Sequence, residues 1–425
     1  MTNRFFGFGF GALLLPLFLV ATSVSVSAQS GKPSKVLRQF QDARIKLQED
    51  LERDVENGKA QLYELDFRFE AFRKKAASEL TGFKIADWKG DELLALYSLY
   101  LQTEMFAQAL EAGRAYLAVE PKSRISKTIR SGILRSLIEL DQIEEAQKLL
   151  DEFYLDPPEN QFELASRVGM SKAMAIAWRE RGRYDMVSKQ ARRGYDLKVA
   201  RGRFPDLDQR TSDLIIRDRL SLAAEFISAA ERLGFKKDAD ESHKKVLETE
   251  FNEQAVLKSF YESELGAARL MFTPAPELDA PVWVGSESVK LANLRGKVVL
   301  LDFWAMWCSQ CAAAFPEWRE LQKRFSAKGL EIIGVTKLYG RSDKEEGLKR
   351  DQELNALRNF QSKYQLNYPI AVGKMDDLTN DEHFVVASLP TVLLIDRRGN
   401  IRHIKRGVGE YQKLEKLIEK LINEN

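Results

Sequence analysis

The sequence predicts a multidomain chain, an all-α helical-repeat region followed by a C-terminal α/β region, and three observations place the division. Residues from about 34 to 270 read as helical throughout. Pro274, Pro276 and Pro281, three of only 12 prolines, cluster where that pattern stops. Beyond them Val298-Val299-Leu300-Leu301-Asp302-Phe303-Trp304 is an apolar run of strand length, and Cys311 to Phe325 is helix-forming apart from Pro316. At 425 residues there is room for two domains plus a leader. The expected boundaries are a signal peptide at 1–28, a helical domain at 29–270 and an α/β domain at 271–425.

The leader has Arg4 before an apolar stretch from Phe5 to Val20, then a run of small residues from Ala21 to Ala28. Val26 and Ala28 fit cleavage after Ala28. The apolar core is short for a membrane span and is interrupted by Pro16, which favours a cleaved secretory signal over a retained anchor. The expected location is therefore periplasmic or otherwise extracytoplasmic. A formal net charge of +2 with 30% charged residues gives no basic stripe, so nucleic acid is not an expected partner.

Within the helical region Leu93, Leu96, Tyr100, Ala109 and Pro121 fall at offsets resembling one tetratricopeptide repeat, two helices ending at proline. Ile133, Leu137, Ala146 and Pro158 echo it 37 residues later, and the alanine-to-proline spacing is 12 in both copies. A weaker echo runs through Met174, Ala175, Trp178 and Val187. Small residues at the alanine positions let paired helices approach closely and stack. Before the array Leu37, Phe40, Leu47, Leu51 and Val55 recur at helical spacing, a helix that caps the array or pairs with another chain.

Chemistry is concentrated in the only two cysteines, Cys308 and Cys311, which lie in WCSQC where the strand meets the helix. Cys308 is expected at the helix N-terminus, where unpaired N–H groups and the helix dipole favour a thiolate. Cys311, one turn on, can then attack a mixed disulfide. Half of a zinc site would need further ligands, and His243, His383 and His403 form no paired spacing, so no metal is expected. A structural bridge closing a two-residue loop would constrain the unfolded chain very little. In an exported chain with no other cysteines, the pair reads as redox-active.

Around this pair the sequence resembles the thioredoxin-like fold, and specifically the TlpA/ResA group of extracytoplasmic thiol-disulfide oxidoreductases. The resemblance runs from about Pro274 to the C-terminus. It rests on Ala275-Pro276-Glu277-Leu278, Leu294-Arg295-Gly296-Lys297, Asp302-Phe303-Trp304-Ala305-Met306-Trp307-Cys308, Pro316 five residues after Cys311, the strand Leu330 to Val335, Tyr368-Pro369-Ile370-Ala371-Val372, Leu389-Pro390-Thr391, the strand Val392 to Asp396 and a closing helix from Tyr411 to Ile422. The resemblance implies that Cys308 and Cys311 are catalytic, with Asp302 as the buried acid that takes the proton from Cys311. It also implies a cis-proline at Pro390, with the backbone at Leu389 pairing with an extended client segment. Trp307 is expected beside the disulfide, contacting substrate, and Trp304 in the core. Lys337 approaches Asp302 if the next strand aligns as in cytoplasmic thioredoxins.

Several positions depart from the family. Ser309-Gln310 between the cysteines supplies no imidazolium to stabilise a thiolate, so a moderately reducing pair is expected. Ala314 stands where many relatives have glutamate. Val385-Val386-Ala387-Ser388 lacks the usual glycines, and the charged stretch from Tyr339 to Arg350 is longer than the usual connection, reading as a solvated loop and helix start.

The resulting expectation is an exported oxidoreductase that reduces client disulfides without a cofactor, with cytochrome c maturation as one client pathway. It would draw electrons from a membrane thiol donor and bind a protein partner on the helical repeats. Two other readings use the same residues differently. One is an interaction scaffold built on the helices. The other is a peroxiredoxin-like enzyme, which would place a lone peroxidatic cysteine after threonine and proline rather than W-C-x-x-C.

Overall fold

A computed structural model describes residues 31–57, 64–123, 125–197, 209–250, 255–375, 379–409 and 411–424. The expected signal peptide lies outside the described residues.

The helical part opens with α1 (Pro33–Glu56), whose proline sits in the first turn, where its missing N–H costs nothing. Val36, Phe40, Ala43 and Leu51 form its buried stripe, and Phe40 stacks on Phe72 of α2 (Glu64–Glu79) at 4.9 Å. The amphipathic first helix thus packs within its own chain. Then come α3 (Gly90–Gln102), α4 (Phe106–Val119), α5 (Ser126–Glu139), α6 (Ile143–Phe153), α7 (Gln161–Glu180), α8 (Tyr184–Tyr195), α9 (Gln209–Arg232), α10 (Lys236–Thr249) and α11 (Ala255–Leu270).

From α3 to α10 the chain repeats one local device. Glu104, Asp141, Gly182 and Gly234 each take a left-handed φ of 61 to 85° after the first helix of a pair. The next residue's N–H then donates back to a carbonyl of the last turn, as in Met105 to Tyr100, Gln142 to Leu137, Arg183 to Trp178 and Phe235 to Ala230. This is a Schellman-type stop that turns the chain into the next helix. Ala109 and Ala146, the small positions of the sequence pattern, are fully buried. At Gly132 a Cβ would fall 1.8 Å from the Tyr97 hydroxyl, which donates to the Ile129 carbonyl at 3.0 Å, so α3 and α5 meet through a missing side chain.

The α/β part comprises β1 (Val282–Val284), β2 (Val298–Phe303), α12 (Ser309–Phe325), β3 (Leu330–Leu338), α13 (Arg350–Tyr364), β4 (Ile370–Met375), α14 (Thr379–His383), β5 (Thr391–Ile395), β6 (Ile401–Arg406) and α15 (Tyr411–Asn423). They form one six-stranded sheet in the order β1-β4-β3-β2-β5-β6, with β2, β3 and β4 parallel and the remaining pairings antiparallel. All six residues of β2 are buried, which is why this central strand lacks polar alternation. Its even-numbered side chains Val298 and Leu300, and Trp304 just beyond its end, pack with α12, α13 and α15. The odd-numbered Val299, Leu301 and Phe303 pack on the other face with Met271, Leu291 and Phe384. The sheet and its helices are thioredoxin-like.

α11 runs directly into this sheet. Phe272 N–H donates to the Ile401 carbonyl at 2.7 Å and Ile401 N–H to Thr273 at 2.9 Å, so the connection lies along the start of β6.

Candidate active site

Cys308 and Cys311 are joined as a disulfide at the start of α12. Cys308 is the N-cap of that helix, and its Sγ accepts the Cys311 N–H at 3.2 Å, the place a serine or aspartate oxygen would take in an ordinary cap. The carbonyl of Cys308 also accepts from Ala312 N–H at 3.2 Å. Both sulfur residues are buried, Cys308 at 7% exposure and Cys311 at 1%, so the first cysteine is the nearer to solvent.

Asp302 lies on the even-numbered face of β2, beneath α12, with no exposed surface. Its carboxylate oxygens have no hydrogen-bond partner among the described residues. The Trp318 indole comes near enough to favour the charged form slightly but does not meet hydrogen-bond geometry. Desolvation dominates and raises the Asp302 pKa to about 8. Burial, and then the Asp302 charge, pushes the Tyr368 phenol well above its ordinary value. Under the helix that begins at the disulfide a buried acid is thus held largely protonated near neutral pH.

Residues 272–404 match the AhpC/TSA family. The thiol-disulfide oxidoreductase ResA of Bacillus cereus is 31% identical over 137 residues, spanning 32% of this chain and 69% of that protein. The chain belongs to the ResA family of thiol-disulfide oxidoreductases. Protein DipZ of Mycobacterium tuberculosis is 32% identical over 140 residues, 33% of this chain and 19% of that protein. A solved thiol-disulfide isomerase from Corynebacterium glutamicum covers 36% of this chain and 98% of its own, at 24% identity and a TM-score of 0.32.

The remaining residues of this ResA-family site separate into those that meet and those that do not. The Leu389–Pro390 peptide is cis, Leu389 is half-buried and Pro390 is buried at the start of β5. In β5, Thr391 pairs with Phe303 and Val392 with Asp302, which brings the proline end of β5 beside the end of β2 that leads to Cys308. Trp304 is core as expected, stacked on Phe360 at 5.3 Å and edge-on to Phe315 at 5.1 Å.

Lys337 does not approach Asp302. Asp302 pairs with Gly334 on β3, and Lys337, three residues further, points to the opposite face because side chains alternate along a strand. Its ammonium is bound to Asp381 of α14 at 2.7 Å.

Sequence reasoning also missed the order in the charged connection after β3. Glu353 of α13, only 1% exposed, accepts from Tyr339 N–H and Gly340 N–H, both at 2.8 Å. Ser342 Oγ accepts from Lys344 and Glu345, and Lys363 reaches Asp343 at 3.1 Å. The loop so held places Tyr339 edge-on to Trp307 at 5.4 Å and the Arg341 guanidinium 4.2 Å from the Trp307 ring centroid. Trp307 remains 37% exposed, so the residue before Cys308 forms a fixed aromatic and cationic shelf rather than core. The only sequence signal for it was the unusual length of the connection.

Proposed function

We propose that this is an exported thiol-disulfide oxidoreductase that reduces disulfides in client proteins, with Cys308, Cys311 and Asp302 catalytic and Trp307, Leu389 and Pro390 contacting substrate. The observation that carries the reading is the buried, unpartnered Asp302 carboxyl on the sheet face beneath the helix that begins with the cysteine pair. A carboxyl in that setting has the proton affinity to exchange a proton with a thiol near neutral pH.

In the reduced enzyme the Cys308 thiolate attacks one sulfur of the client disulfide. The client S–S bond breaks, a mixed disulfide forms, and the departing client sulfur leaves as a thiolate that takes up a proton. Cys311 then gives its proton to Asp302 in the ionised form, a minority near neutral pH that grows towards pH 8, and attacks Cys308 Sγ. The second client thiolate leaves and is protonated, while the enzyme keeps the Cys308–Cys311 disulfide. Two electrons have passed to the client, with one proton from Cys311 by way of Asp302 and one from solvent. Regeneration requires a dithiol donor, and an extracytoplasmic enzyme would draw those electrons from a membrane protein.

The domain reading is a signal peptide at 1–28, a tetratricopeptide-like helical domain at 29–270 that recruits a protein partner, and the thioredoxin-like domain at 271–425. The repeated helix-pair stop from Glu104 to Gly234 supports the repeat reading. Separate hydrophobic cores on either side of residue 270 support the boundary. Cytochrome c maturation is one client pathway consistent with it. Among the described residues no helix is long and apolar enough to cross a membrane.

The test is equilibration of the mature protein with glutathione buffers, following both thiols by alkylation. A reversible two-electron transition at a reducing potential supports the reading. An oxidising potential reverses the electron flow, and no reversible transition removes the redox function. Client capture with Cys311→Ala, which should hold mixed disulfides on Cys308, then identifies the substrates.

A further inference from the structure

We propose that the last helix of the helical region, α11, positions the client-docking edge at Leu389–Pro390, with Glu264, Gly266 and Arg406 as positioning residues. The proposal rests on the reductase reading above and adds to it that the docking edge is held from outside the sheet's own domain.

Two contacts carry it, one at each end of the segment that contains Leu389. At the far end, Arg406 of β6 pairs with Thr391, the residue after Pro390, and Gly407 N–H donates to the Pro390 carbonyl at 2.8 Å. The Arg406 side chain leaves the sheet for α11, donating to Glu264 Oε1 at 2.7 Å and to the Ser263 carbonyl at 3.1 Å. Glu264 Oε2 accepts from Ser221 of α9 at 2.7 Å. One carboxylate therefore ties the helical array to the strand that holds Pro390. The pair is about three-quarters buried, 23% and 22% exposed, so solvent screens it less than a surface pair.

At the near end, Val385 takes φ 54° as the left-handed stop of α14, where Val386 N–H donates back to the Asp381 carbonyl at 2.7 Å. Its side chain meets α11. A Cβ at Gly266 would lie 2.7 Å from Val385 Cγ1 and 3.2 Å from Cγ2. Val385 has one stiff χ1 and no flexible end to swing away. Glycine at 266 therefore lets Val385 sit directly on the helix, and residues 387–389 run between two segments that each rest on one turn of α11. A partner that shifts α11 would shift the docking edge relative to Cys308.

The experiment uses the full mature chain, pre-reduced, in single-turnover reactions with two probes. One is a peptide closed by a disulfide between cysteines two residues apart; the other is bis(2-hydroxyethyl) disulfide, which has no backbone to dock. Gly266→Ala and Glu264→Gln are each expected to raise the half-saturating peptide concentration about fivefold while the limiting rate changes less than about twofold, the pattern of lost binding rather than lost chemistry. The glutathione equilibrium and the rate with the small disulfide should not move. Adding Val385→Ala to Gly266→Ala removes the obstructing methyl groups and should restore peptide binding. Unchanged half-saturation in folded variants overturns the proposal, as does a loss shared equally by the small disulfide or one that Val385→Ala does not rescue. If Gly266→Ala misfolds, the near-isosteric Glu264→Gln decides alone. Wild-type protein that reacts with the small disulfide but never with the peptide overturns the client-reductase reading itself, and this proposal with it.

Discussion

Asp302 and Gly334 lie opposite each other across the β2–β3 ladder, and the side chain Gly334 lacks is the space the Trp304 indole occupies. A Cβ there would stand 2.8 Å from Trp304 Nε1 and 3.4 Å from Tyr368 Cε2. Gly334→Ala is therefore expected to destabilise the thioredoxin-like domain by about 1–3 kcal/mol through overpacking. Denaturant unfolding followed by tryptophan fluorescence measures this, and a variant as stable as the parent would show that the indole has room to move.

Burial raises the Asp302 pKa to about 8, so the folded state holds a proton that the unfolded state releases near pH 4. The folded state then binds more protons between those values, and stability falls as pH rises from about 4 to about 8, levelling outside that window. The full effect is on the order of 5 kcal/mol. Asp302→Asn should flatten the dependence, gaining thermal stability relative to wild type at pH 8 but not at pH 4. It should also remove an inflection near pH 8 from the mixed-disulfide resolution rate. Parallel melting curves for the two proteins across this range would rule out a desolvated carboxyl.

Lys337 sits on the opposite face of β3 from the Asp302 side, bound to Asp381. Lys337→Met should leave the Asp302-dependent pH profile in place. It should still cost roughly 1–3 kcal/mol of stability, because Asp381 loses a partner in a largely buried pair. A shift of the inflection in this variant would mean that the lysine charge reaches Asp302 after all.

Trp307, 37% exposed, forms the shelf with Tyr339 and Arg341. Trp307→Ala should weaken binding of a disulfide peptide by about tenfold, while global stability changes by less than about 1 kcal/mol. Arg341→Ala should produce a smaller loss of the same kind. Equal peptide binding in all three proteins, measured by single-turnover saturation, would remove the shelf from substrate contact.

Much of the site was legible because its signals are local. A cysteine pair after an otherwise apolar strand and before a helix defines its own geometry, and the carboxylate six residues upstream on that strand is buried by the same pattern that makes the strand central. The helix-pair spacing from Ala109 to Ala146 was readable for a similar reason, since small residues recur wherever stacked helices touch.

What only packing decided depends on which face or neighbour a side chain meets. One step of strand register sends Lys337 to Asp381 instead of Asp302, and no residue type in the sequence announces it. The loop from Tyr339 to Lys349 reads as solvated charge until the buried Glu353 carboxylate, in the first turn of the next helix, organises its backbone. That the stop at Val385 rests on α11 shows only once Gly266, more than a hundred residues earlier, is set against it. Periodicity and composition act over a few residues, whereas register, orphaned carboxylates and close approaches arise where distant segments meet.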